Sequence, residues 1–591
     1  MPGVLTKNDR AAFLGVEASA LGRRWQGPDP AISRLAEAME QFTSLPHGVC
    51  AVLARAGVAP EDAERYLTPA LRDLLPDPRS LRDMEAAARR CVAAVDDGAR
   101  IAIFADYDVD GGASAALLIC WLRAMGHAAT LYVPDRIDEG YGPNAPAMAT
   151  LAQSHDLIVC VDCGTVSHEA IAAAQGADVV VLDHHLGGET LPAALAVVNP
   201  NRQDESGELG HLCAAGVVFL MLVEANRQLR EQGRQGPDLM AMLDLVALAT
   251  VADVAPLVGV NRAFVRQGLR VMARRERAGL CALADIARLE TAPSAYHLGF
   301  VLGPRVNAGG RIGAADLGAR LLACDDPHEA AALAERLDAL NSERREIEAT
   351  VRAAALAQAE ARGDVGALVW AAGEGWHPGV IGIAASRLKE FFDRPAIVIG
   401  FDGDEGKGSG RSVPGVDLGA AVQRLVREGL LLKGGGHKMA AGLTVARAQL
   451  RAAMARLDEL LALQGAADAA VKSLRLDGVL MPSAVSVELV DQIESAGPFG
   501  ASAPAPRFAF PAMRIQSVRR MGEAHMRVRF GEVGGSMLDA VAFGAFESDL
   551  GHFVSASQGQ SLHLAGRIEI NHWQGRRNVQ LRLEDAAKPN A

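Results

Sequence analysis

Short apolar runs alternate with longer helical patterns in the first half of the chain. The runs cover residues 101–105, 130–133, 157–161 and 179–182, and each is almost continuously apolar. This pattern is typical of strands that are buried on both faces of a sheet. The Ala-rich segments between the runs have the period of helices. Residues 76 to about 260 therefore predict a parallel, doubly wound α/β sheet.

The second half shows three further patterns. Residues 328–362 keep a helical period without proline or glycine, which predicts one long connecting helix. A smaller α/β segment follows at 366–443, with strands near 367–370 and 396–399, and then a helix at 446–464. From about 470 onward apolar and basic residues alternate, as at 526–530, which predicts a small antiparallel β domain.

The chain has 591 residues, which is too long for one hydrophobic core. We expect a helical lead-in, a large α/β domain, a connector helix, a second and smaller α/β domain, and a C-terminal β domain. Their predicted bounds are 1–75, 76–327, 328–362, 363–460 and 461–591.

Composition narrows the class of protein. The net charge of −12 argues against a uniformly basic nucleic-acid binder, although it leaves room for a local basic groove. We expect no membrane span, since no run of about 20 apolar residues occurs. We also expect no signal peptide, because the N-terminus is acidic in part and lacks an apolar core. Eight scattered cysteines indicate a reducing cytoplasm.

A lone Cys-x-x-Cys motif spans Cys160 and Cys163. No second such pair accompanies it, so we favour two thiols buried in a strand over a zinc site.

The motif Asp-Tyr-Asp-Val-Asp-Gly at 106–111 is the first candidate for chemistry. It follows the apolar run 101–105 and precedes a helical run at 113–125. Asp106, Asp108 and Asp110 would repel one another unless a cation lies among them. The alternative is a solvated acidic loop, so the interpretation depends on partners elsewhere in the chain.

Such partners follow other predicted strands. The carboxyl ends of the strands of a doubly wound sheet line one crevice, so these side chains should converge. Carboxylate and imidazole ligands suit Mn²⁺, with Mg²⁺ as a substitute. Five or six ligands exceed the need of one catalytic ion, so we infer two metals about 3.5–4 Å apart. The partners are Asp162 after 157–161, Asp183, His184 and His185 after 179–182, and Asp253 after a predicted strand at 249–252.

These motifs identify the sequence as similar to the DHH phosphoesterase superfamily, whose name is the triplet found at 183–185. The superfamily motif DxDxxxS matches Asp108, Asp110 and Ser114. Within the superfamily the chain resembles the RecJ exonuclease family. The segments that carry this resemblance are 106–111, 138–144, 243–248 leading to Asp253, 303–307 with 310–311, and 376–382.

The resemblance implies the activity. RecJ proteins degrade single-stranded DNA in the 5′-to-3′ direction to mononucleotides, in DNA recombination and repair. It also implies a DHH catalytic domain, a DHHA1 domain and a C-terminal OB-fold barrel. Implied partners are single-stranded DNA, a single-strand-binding protein and a helicase, with no membrane. The implied catalytic and metal-binding residues are Asp108, Asp110, Asp162, His184, His185 and Asp253, with Asp106 as a supporting acid or occasional ligand.

Two glycine-rich segments in the second half are candidates for phosphate binding. Glycines let backbone N–H groups approach phosphate closely, and arginine adds bidentate contacts. Each segment alone is more typical of a plain turn, and His437 alternatively caps a helix. The candidates are Ser409 and Arg411 in 408–412, and Gly435, Gly436 and His437 in 434–437.

A further Gly-rich segment at 303–311 is predicted to be a loop. Its polar side chains either hold that loop together or, as the resemblance suggests, contact the strand backbone. The segment contributes Arg305, Asn307 and Arg311, and the segment at 136–144 contributes Tyr141 and Asn144, together with Arg136.

In the tail, OB folds bind single strands by stacking bases on aromatic rings beside basic residues. We expect Phe508, Phe510 and Phe543 to lie in the core. The loop at 501–504 departs from the Gly-Asn-Pro usual in the family, which puts its details in doubt. The candidates for DNA contact are Arg527, Arg529, Phe530, His572, Trp573, Arg576 and Arg577.

Three other functions fit parts of the sequence. A DHH enzyme could act on short oligonucleotides, pyrophosphate or cyclic dinucleotides, although such an enzyme would not need the tail. A non-catalytic DNA-holding scaffold is a second alternative, and the complete ligand set argues against it. An RNase of the same fold is a third, because the sequence does not select DNA over RNA.

Overall fold

The chain divides into two compact units in the computed structural model described here. One contains Met1–Leu74, Leu257–Arg262 and Ala470–Ala591, and the other contains Leu75–Pro256 and Ala263–Ala469. The structure describes residues 11–136, 138–363, 366–467, 472–573 and 576–589. No helix within these ranges combines the length and apolar character needed to cross a membrane.

The N-terminal part of the first unit is one short strand followed by helices. Asp29 begins the first helix by accepting a hydrogen bond from the backbone N–H of Ala31, and Pro30 occupies the first helical position. The elements are β1 (Arg24–Gln26), α1 (Pro30–Thr43), α2 (His47–Arg55), α3 (Ala63–Leu67) and α4 (Leu71–Leu74).

The second unit is built on a five-stranded sheet in the order β3-β2-β4-β5-β6, with every pair parallel. This confirms the predicted doubly wound α/β fold. The strands are β2 (Ile101–Ala105), β3 (Ala129–Tyr132), β4 (Leu157–Val161), β5 (Asp178–Leu182) and β6 (Ala196–Val198). The helices are α5 (Met84–Asp96), α6 (Val109–Ala124), α7 (Ala145–Ala152), α8 (His168–Ala173), α9 (Ala214–Glu231) and α10 (Leu243–Ala252).

The prediction of a strand at 249–252 was wrong. These residues form the last turn of α10, and Asp253 follows a helix. The run 243–250 is buried at every position, and such a run has the same pattern whether it is a buried strand or a buried helix.

Helices dominate the chain between the two sheets. The predicted long helix exists, capped by the Asp326 side chain. The predicted loop at 303–311 is instead a helix, which was not expected because glycine disfavours helix interiors. The helices are α11 (Gly259–Ala273), α12 (Ala278–Ile286), α13 (Ala295–His297), a π-helical turn (Leu298–Leu302), α14 (Gly303–Ile312), α15 (Leu317–Ala323) and α16 (Pro327–Arg362).

A mixed five-stranded sheet completes the second unit, in the order β10-β11-β9-β8-β7. The two glycine-rich segments, each of which alone is more typical of a plain turn, are strands here. A Cβ on Gly408 would lie 2.7 Å from Leu443 Cδ1, and one on Gly410 would lie 2.8 Å from Leu418 Cδ2. The elements are β7 (Val369–Glu374), α17 (Pro378–Phe392), β8 (Ala396–Asp402), β9 (Glu405–Arg411), α18 (Leu418–Arg427), β10 (Lys433–His437), β11 (Ala440–Ala446) and α19 (Leu450–Ala462).

The tail forms a closed five-stranded barrel, as predicted. Its strands follow the order β14-β15-β16-β18-β17, and β17 pairs with β14 to close it. Within the same unit, β1 pairs with β12, and Trp25 Nε1 donates to Asp585 Oδ2. The elements are β12 (Ser473–Arg475), β13 (Gly478–Val479), α20 (Val487–Ser495), β14 (Phe508–Met521), β15 (His525–Gly531), β16 (Met537–Ala542), α21 (Asp549–Ala556), β17 (Ser561–Trp573) and β18 (Arg576–Ala587).

The aromatic residues of the barrel correct two predictions. Phe508 and Phe510 lie in the core as expected, whereas Phe543 is exposed. Phe530, a candidate for DNA stacking, is fully buried against Phe510. The alternation along β15 points Met526, Val528 and Phe530 inward, so Phe530 belongs to the barrel core.

Candidate metal centre and cationic face

Three strands of the parallel sheet β3-β2-β4-β5-β6 are each followed by an aspartate at the same edge of the sheet. The register aligns Ala105 with Val161 and Val161 with Leu182. The next residues, Asp106, Asp162 and Asp183, therefore lie side by side at the carboxyl ends of β2, β4 and β5. All three are buried. Asp162 also has a left-handed backbone with φ of 60°, a strained conformation that is typical of functional sites.

The amino terminus of α6 supplies two more carboxylates. Asp108 caps the helix, and its Oδ1 accepts hydrogen bonds from the N–H groups of Asp110 and Gly111. Asp110 lies in the first turn, where its two oxygens accept from the N–H groups of Ala214 and Ala215 at the start of α9, at 2.6 and 2.8 Å. Two helix amino termini thus hold the Asp110 carboxylate in place.

His184 lies at the centre of the group. Its Nε2 is 3.3 Å from Asp162 Oδ1, 3.7 Å from Asp110 Oδ2 and 3.8 Å from Asp253 Oδ2. The structure thus brings Asp253 to the site from the end of α10 rather than from a strand. The ligand atoms form three compact trios, which are Asp162 with His184 and His185, Asp110 with His184 and Asp253, and Asp106 with Asp108 and Asp162.

These side chains fit divalent cations. Asp106 Oδ1 and Asp162 Oδ1 are buried and have no hydrogen-bond partner among the described residues. Burial, followed by the charges of Asp110 and Asp108, raises the pKa of Asp253 to about 8. Burial and neighbouring carboxylates raise the pKa of Asp162 as well. Oxygen-rich sites with imidazole suit Mn²⁺ and Mg²⁺, whose charge would offset this repulsion.

Asp183 orients a histidine. Its Oδ1 lies 2.8 Å from His185 Nδ1, and its Oδ2 accepts from Thr165 N–H and Oγ1. Burial opposes the charged imidazole, but this hydrogen bond and the Asp183 charge raise the pKa of His185 to about 9. Such carboxylate–histidine pairs fix the ring of a metal ligand.

Two asparagines that we did not predict support the same loop. Asn199 Nδ2 donates to the His185 carbonyl at 2.7 Å, and Asn201 Nδ2 donates to the His184 carbonyl at 2.6 Å. Both follow β6, so a search for polar residues after every apolar run would have found them.

The other predicted residues of the catalytic domain divide into two groups. Tyr141 reaches the site, since its hydroxyl donates to the Asp162 carbonyl at 3.1 Å and lies 3.0 Å from His185 Nε2. Asn144 instead caps α7 by accepting from Ala147 N–H, and it donates to Glu139. Arg305 pairs with Asp338 at 2.8 Å and donates to the Val301 carbonyl. Asn144 and Arg305 therefore have structural partners.

Helix α14 closes one side of the metal centre. Asn307 Oδ1 accepts a hydrogen bond from Val109 N–H at 3.0 Å, which fixes the residue between Asp108 and Asp110. A Cβ atom on Gly310 would lie 2.6 Å from the Tyr107 carbonyl oxygen, so only glycine fits there. The glycines of 303–311 therefore permit a close helix–loop approach.

Three half-buried arginines, Arg136, Arg311 and Arg411, form a cationic face in the same unit. Arg311 Nη1 donates to the Gly379 carbonyl, and burial followed by the charge of Arg136 lowers the pKa of Arg311 to about 10. Burial and Arg136 also lower the pKa of Arg411, whose Nη1 donates to Ser409 Oγ at 3.1 Å. The Arg136 guanidinium lies 5.1 Å from the centre of the Tyr107 ring. Like charges gathered in this way favour an anion.

The segment at 434–437 lies on β10. Gly435 has open space where a Cβ would stand, and the exposed His437 accepts from Met439 N–H through Nδ1 at 3.3 Å. His437 does not cap a helix. His377, which we did not predict as a separate site residue, caps α17 by accepting from Gly379 N–H.

The barrel candidates are mostly on its surface. Arg527 and Arg529 both approach Asp539, and Arg577 pairs with Asp491. Exposed Phe543 has the Arg582 guanidinium 5.5 Å from its ring centre and His525 against its edge. His572 and Arg576 are exposed, and the Trp573 side chain lies outside the described residues.

Cys160 and Cys163 are buried free thiols in the second unit.

Three family models match the chain. The model of the DHH family, N-terminal domain, matches residues 100–250, the DHHA1 domain matches 364–463, and the RecJ OB domain matches 476–585.

Individual proteins match over most of their length. A single-stranded-DNA-specific exonuclease RecJ from Dickeya dadantii is 40% identical over 535 residues, which covers 87% of this chain and 92% of that protein. The crystal structure of RecJ in complex with Mn²⁺ from Thermus thermophilus matches with a TM-score of 0.78 and 29% identity. It covers 96% of this chain and 80% of that one. The Mg²⁺ complex from the same organism matches at a TM-score of 0.72 and 28% identity, over 96% and 79%.

Proposed function

The chain belongs to the RecJ family of single-stranded-DNA-specific exonucleases, and on this premise we propose that it removes nucleotides from an end of single-stranded DNA by metal-dependent hydrolysis of phosphodiester bonds. One observation supports this most strongly. Carboxylates and two histidines converge in the same unit as half-buried, mutually repelling arginines. A metal centre beside an anion-binding face is the arrangement that phosphodiester hydrolysis needs.

Asp106, Asp108, Asp110, Asp162, His184, His185 and Asp253 would hold two Mn²⁺ or Mg²⁺ ions. Such ions polarise a phosphate and lower the pKa of bound water. The Asp183 carboxylate keeps the His185 ring oriented, and Asn307 fixes the loop that carries Asp108 and Asp110. Tyr141 places a hydroxyl beside Asp162 and His185, where it can donate to a substrate oxygen.

Arg411 binds phosphate oxygens of the strand, and Arg311 offsets the negative charge that develops on the phosphoryl oxygens in the transition state. Ser409 and the backbone of Gly435 and Gly436 add neutral contacts to the strand, and Gly435 has open space where a Cβ would stand. On the barrel, Phe543 with Arg582 offers a ring and a cation on one surface, which suits base stacking.

Further parts of the proposal rest on the family. We assign catalysis to residues 76–327, strand binding to 363–460 and additional DNA contact to 461–591. The family also suggests 5′-to-3′ polarity, mononucleotide products, work in recombination and repair in the cytoplasm, and partnership with a single-strand-binding protein and a helicase.

A single assay tests the activity. Matched DNA and RNA strands carrying a label at the 5′ or the 3′ end are incubated with the full chain in Mn²⁺ or Mg²⁺. We expect DNA to be degraded to mononucleotides from its 5′ end. Preference for a dinucleotide over a long strand, or for RNA, would contradict the proposal.

The variant that tests the metal centre in this assay is Asp162→Ala, which removes a candidate ligand that belongs to two of the three trios. Loss of about 4 kcal/mol of transition-state stabilisation corresponds to roughly a thousandfold lower rate. Unchanged turnover in this variant would show that the activity has another origin.

A further inference from the structure

A pair of aromatic side chains is exposed on the helical segment that leads into α14. Tyr296 is 53% exposed and Phe300 is 72% exposed. Their rings stack, with centroids 5.2 Å apart and planes 27° apart. Large apolar side chains exposed together are typical of interaction sites. The Tyr296 ring also contacts the His297 ring at 5.9 Å between centroids, so Phe300, the more exposed of the pair, offers the larger accessible surface to a third ring.

The backbone beneath the pair is rigid and irregular. Phe300 lies at the centre of the π-helical turn Leu298–Leu302, whose end residues are both fully buried. Before it, the Ser294 hydroxyl and the His297 ring form a capping box that fixes α13. π-helical turns are rare and occur frequently at functional sites. The aromatic pair is therefore held on a fixed support rather than on a loop.

This support packs at two places against the last turn of α10, which directly precedes Asp253. A Cβ on Gly299 would lie 3.3 Å from Val251 Cγ1, and one on Gly303 would lie 3.2 Å from Ala252 Cβ. The turn thus packs on the end of α10, directly before Asp253. Farther along the same helical segment, Asn307 bonds Val109 N–H between Asp108 and Asp110.

The distance between the aromatic pair and Asn307 suits a strand whose end is bound at the metal centre. Phe300 precedes Asn307 by seven residues and Tyr296 precedes it by eleven. At about 1.5 Å per residue these offsets correspond to roughly 10 and 16 Å along the helix. A strand stacked at about 3.4 Å per base covers that distance in roughly three to five nucleotides.

We propose that Tyr296 and Phe300 form a stacking platform for bases of the DNA strand a few nucleotides from the scissile phosphate. The inference rests on the proposed function and adds a length preference to it. Strands long enough to reach the platform bind more tightly than dinucleotides or trinucleotides. Stacking on a ring is tolerant of base identity, so the platform adds affinity without sequence selection.

The test compares Phe300→Ala with the wild-type chain on a ten-nucleotide strand and on a trinucleotide, in Mn²⁺. We expect KM for the longer strand to rise roughly five- to one-hundredfold. The kcat and the KM for the trinucleotide should stay unchanged. Phe300→Trp should retain the wild-type KM because it keeps a ring.

The matched control is Phe391→Ala. Phe391 is 59% exposed, also contacts a second ring, and lies at the far end of α17 in the same unit. It should leave both KM values unchanged. A ten-nucleotide strand with abasic sites at the fourth to sixth nucleotides should bind the wild type more weakly and cancel the difference from Phe300→Ala.

The outcomes separate the two proposals. Absence of degradation by the wild-type chain would refute the proposed function, and fluorescence anisotropy of a labelled strand without divalent cation would then still test the platform. Wild-type KM for the longer strand in Phe300→Ala, with an active wild type, would overturn the platform alone.

Discussion

Metal binding by this centre should release protons, because its metal-free form holds them. The pKa of Asp253 is about 8, against an ordinary value of 3.8, since burial and the charges of Asp110 and Asp108 disfavour its ionised form. At neutral pH the carboxyl is mostly protonated without metal. A cation binds the carboxylate, so binding at pH 7 must displace close to one proton from Asp253.

The magnitude follows from that pKa. For a group titrating near 8, the apparent dissociation constant for Mn²⁺ should fall about fiftyfold between pH 6 and pH 8, or about 2.3 kcal/mol. Above pH 8 the contribution of Asp253 to this dependence should flatten. His185, with a pKa of about 9, adds to the same trend because its ring must also lose a proton to bind.

The stability of the metal-free protein should depend on pH in the opposite direction to its Mn²⁺ affinity. The folded pKa of Asp253 lies above its ordinary value, so its contribution to metal-free stability is complete below about pH 4 and is lost as the pH rises through about 8. The Tm of the metal-free protein should therefore fall between pH 6 and 8.5, and saturating Mn²⁺ should reverse the trend.

Isothermal titration calorimetry of the full chain with Mn²⁺ at pH 6, 7 and 8 measures both quantities, in two buffers that differ in ionisation enthalpy. Asp253→Asn should weaken binding overall and reduce the proton release by about one. Asp285→Asn, which changes an exposed carboxylate, should match the wild type. Equal affinity at pH 6 and pH 8, with no buffer-dependent heat, would refute the reasoning.

Three further substitutions test the site. Gly310→Ala places a Cβ 2.6 Å from the Tyr107 carbonyl oxygen and should lower kcat at least about tenfold by displacing the loop that carries Asp108. The control is Gly435→Ala, which has open space for the new methyl group and should leave the circular dichroism spectrum and Tm unchanged. A wild-type kcat in Gly310→Ala would contradict the close packing. Asp183→Asn should raise the Mn²⁺ concentration that gives the half-maximal rate about 10- to 100-fold, because it releases the His185 ring. An unchanged Mn²⁺ concentration would exclude the orienting role of Asp183. Arg411→Lys should raise KM for single-stranded DNA about tenfold with kcat largely retained, since lysine cannot make a bidentate contact; a loss confined to kcat would argue that Arg411 acts on the transition state instead.

Much of the fold could be read from local pattern. The strands at 101–105 and 157–161 were predicted to the residue, because strands covered on both faces leave continuous apolar runs. The same reasoning failed at 249–252, where a helix buried all round leaves the same pattern. It also failed at 303–311, because glycines placed for close packing resemble the glycines of a loop.

The sequence by itself determined that Asp106, Asp162 and Asp183 lie together, since a polar residue directly after a buried parallel strand must lie at one edge of the sheet. Only the tertiary structure decided which partner each polar side chain has, and that Asn307 supports the loop of Asp108 and Asp110. Asn144 and Arg305 carry the same chemistry as Asn307 and Arg311, yet the first two are occupied by Glu139 and Asp338. The physical reason is the distance along the chain over which each signal acts. Periodicity reports neighbours along the chain, whereas the contact of Asn307 with Val109 joins residues about two hundred positions apart.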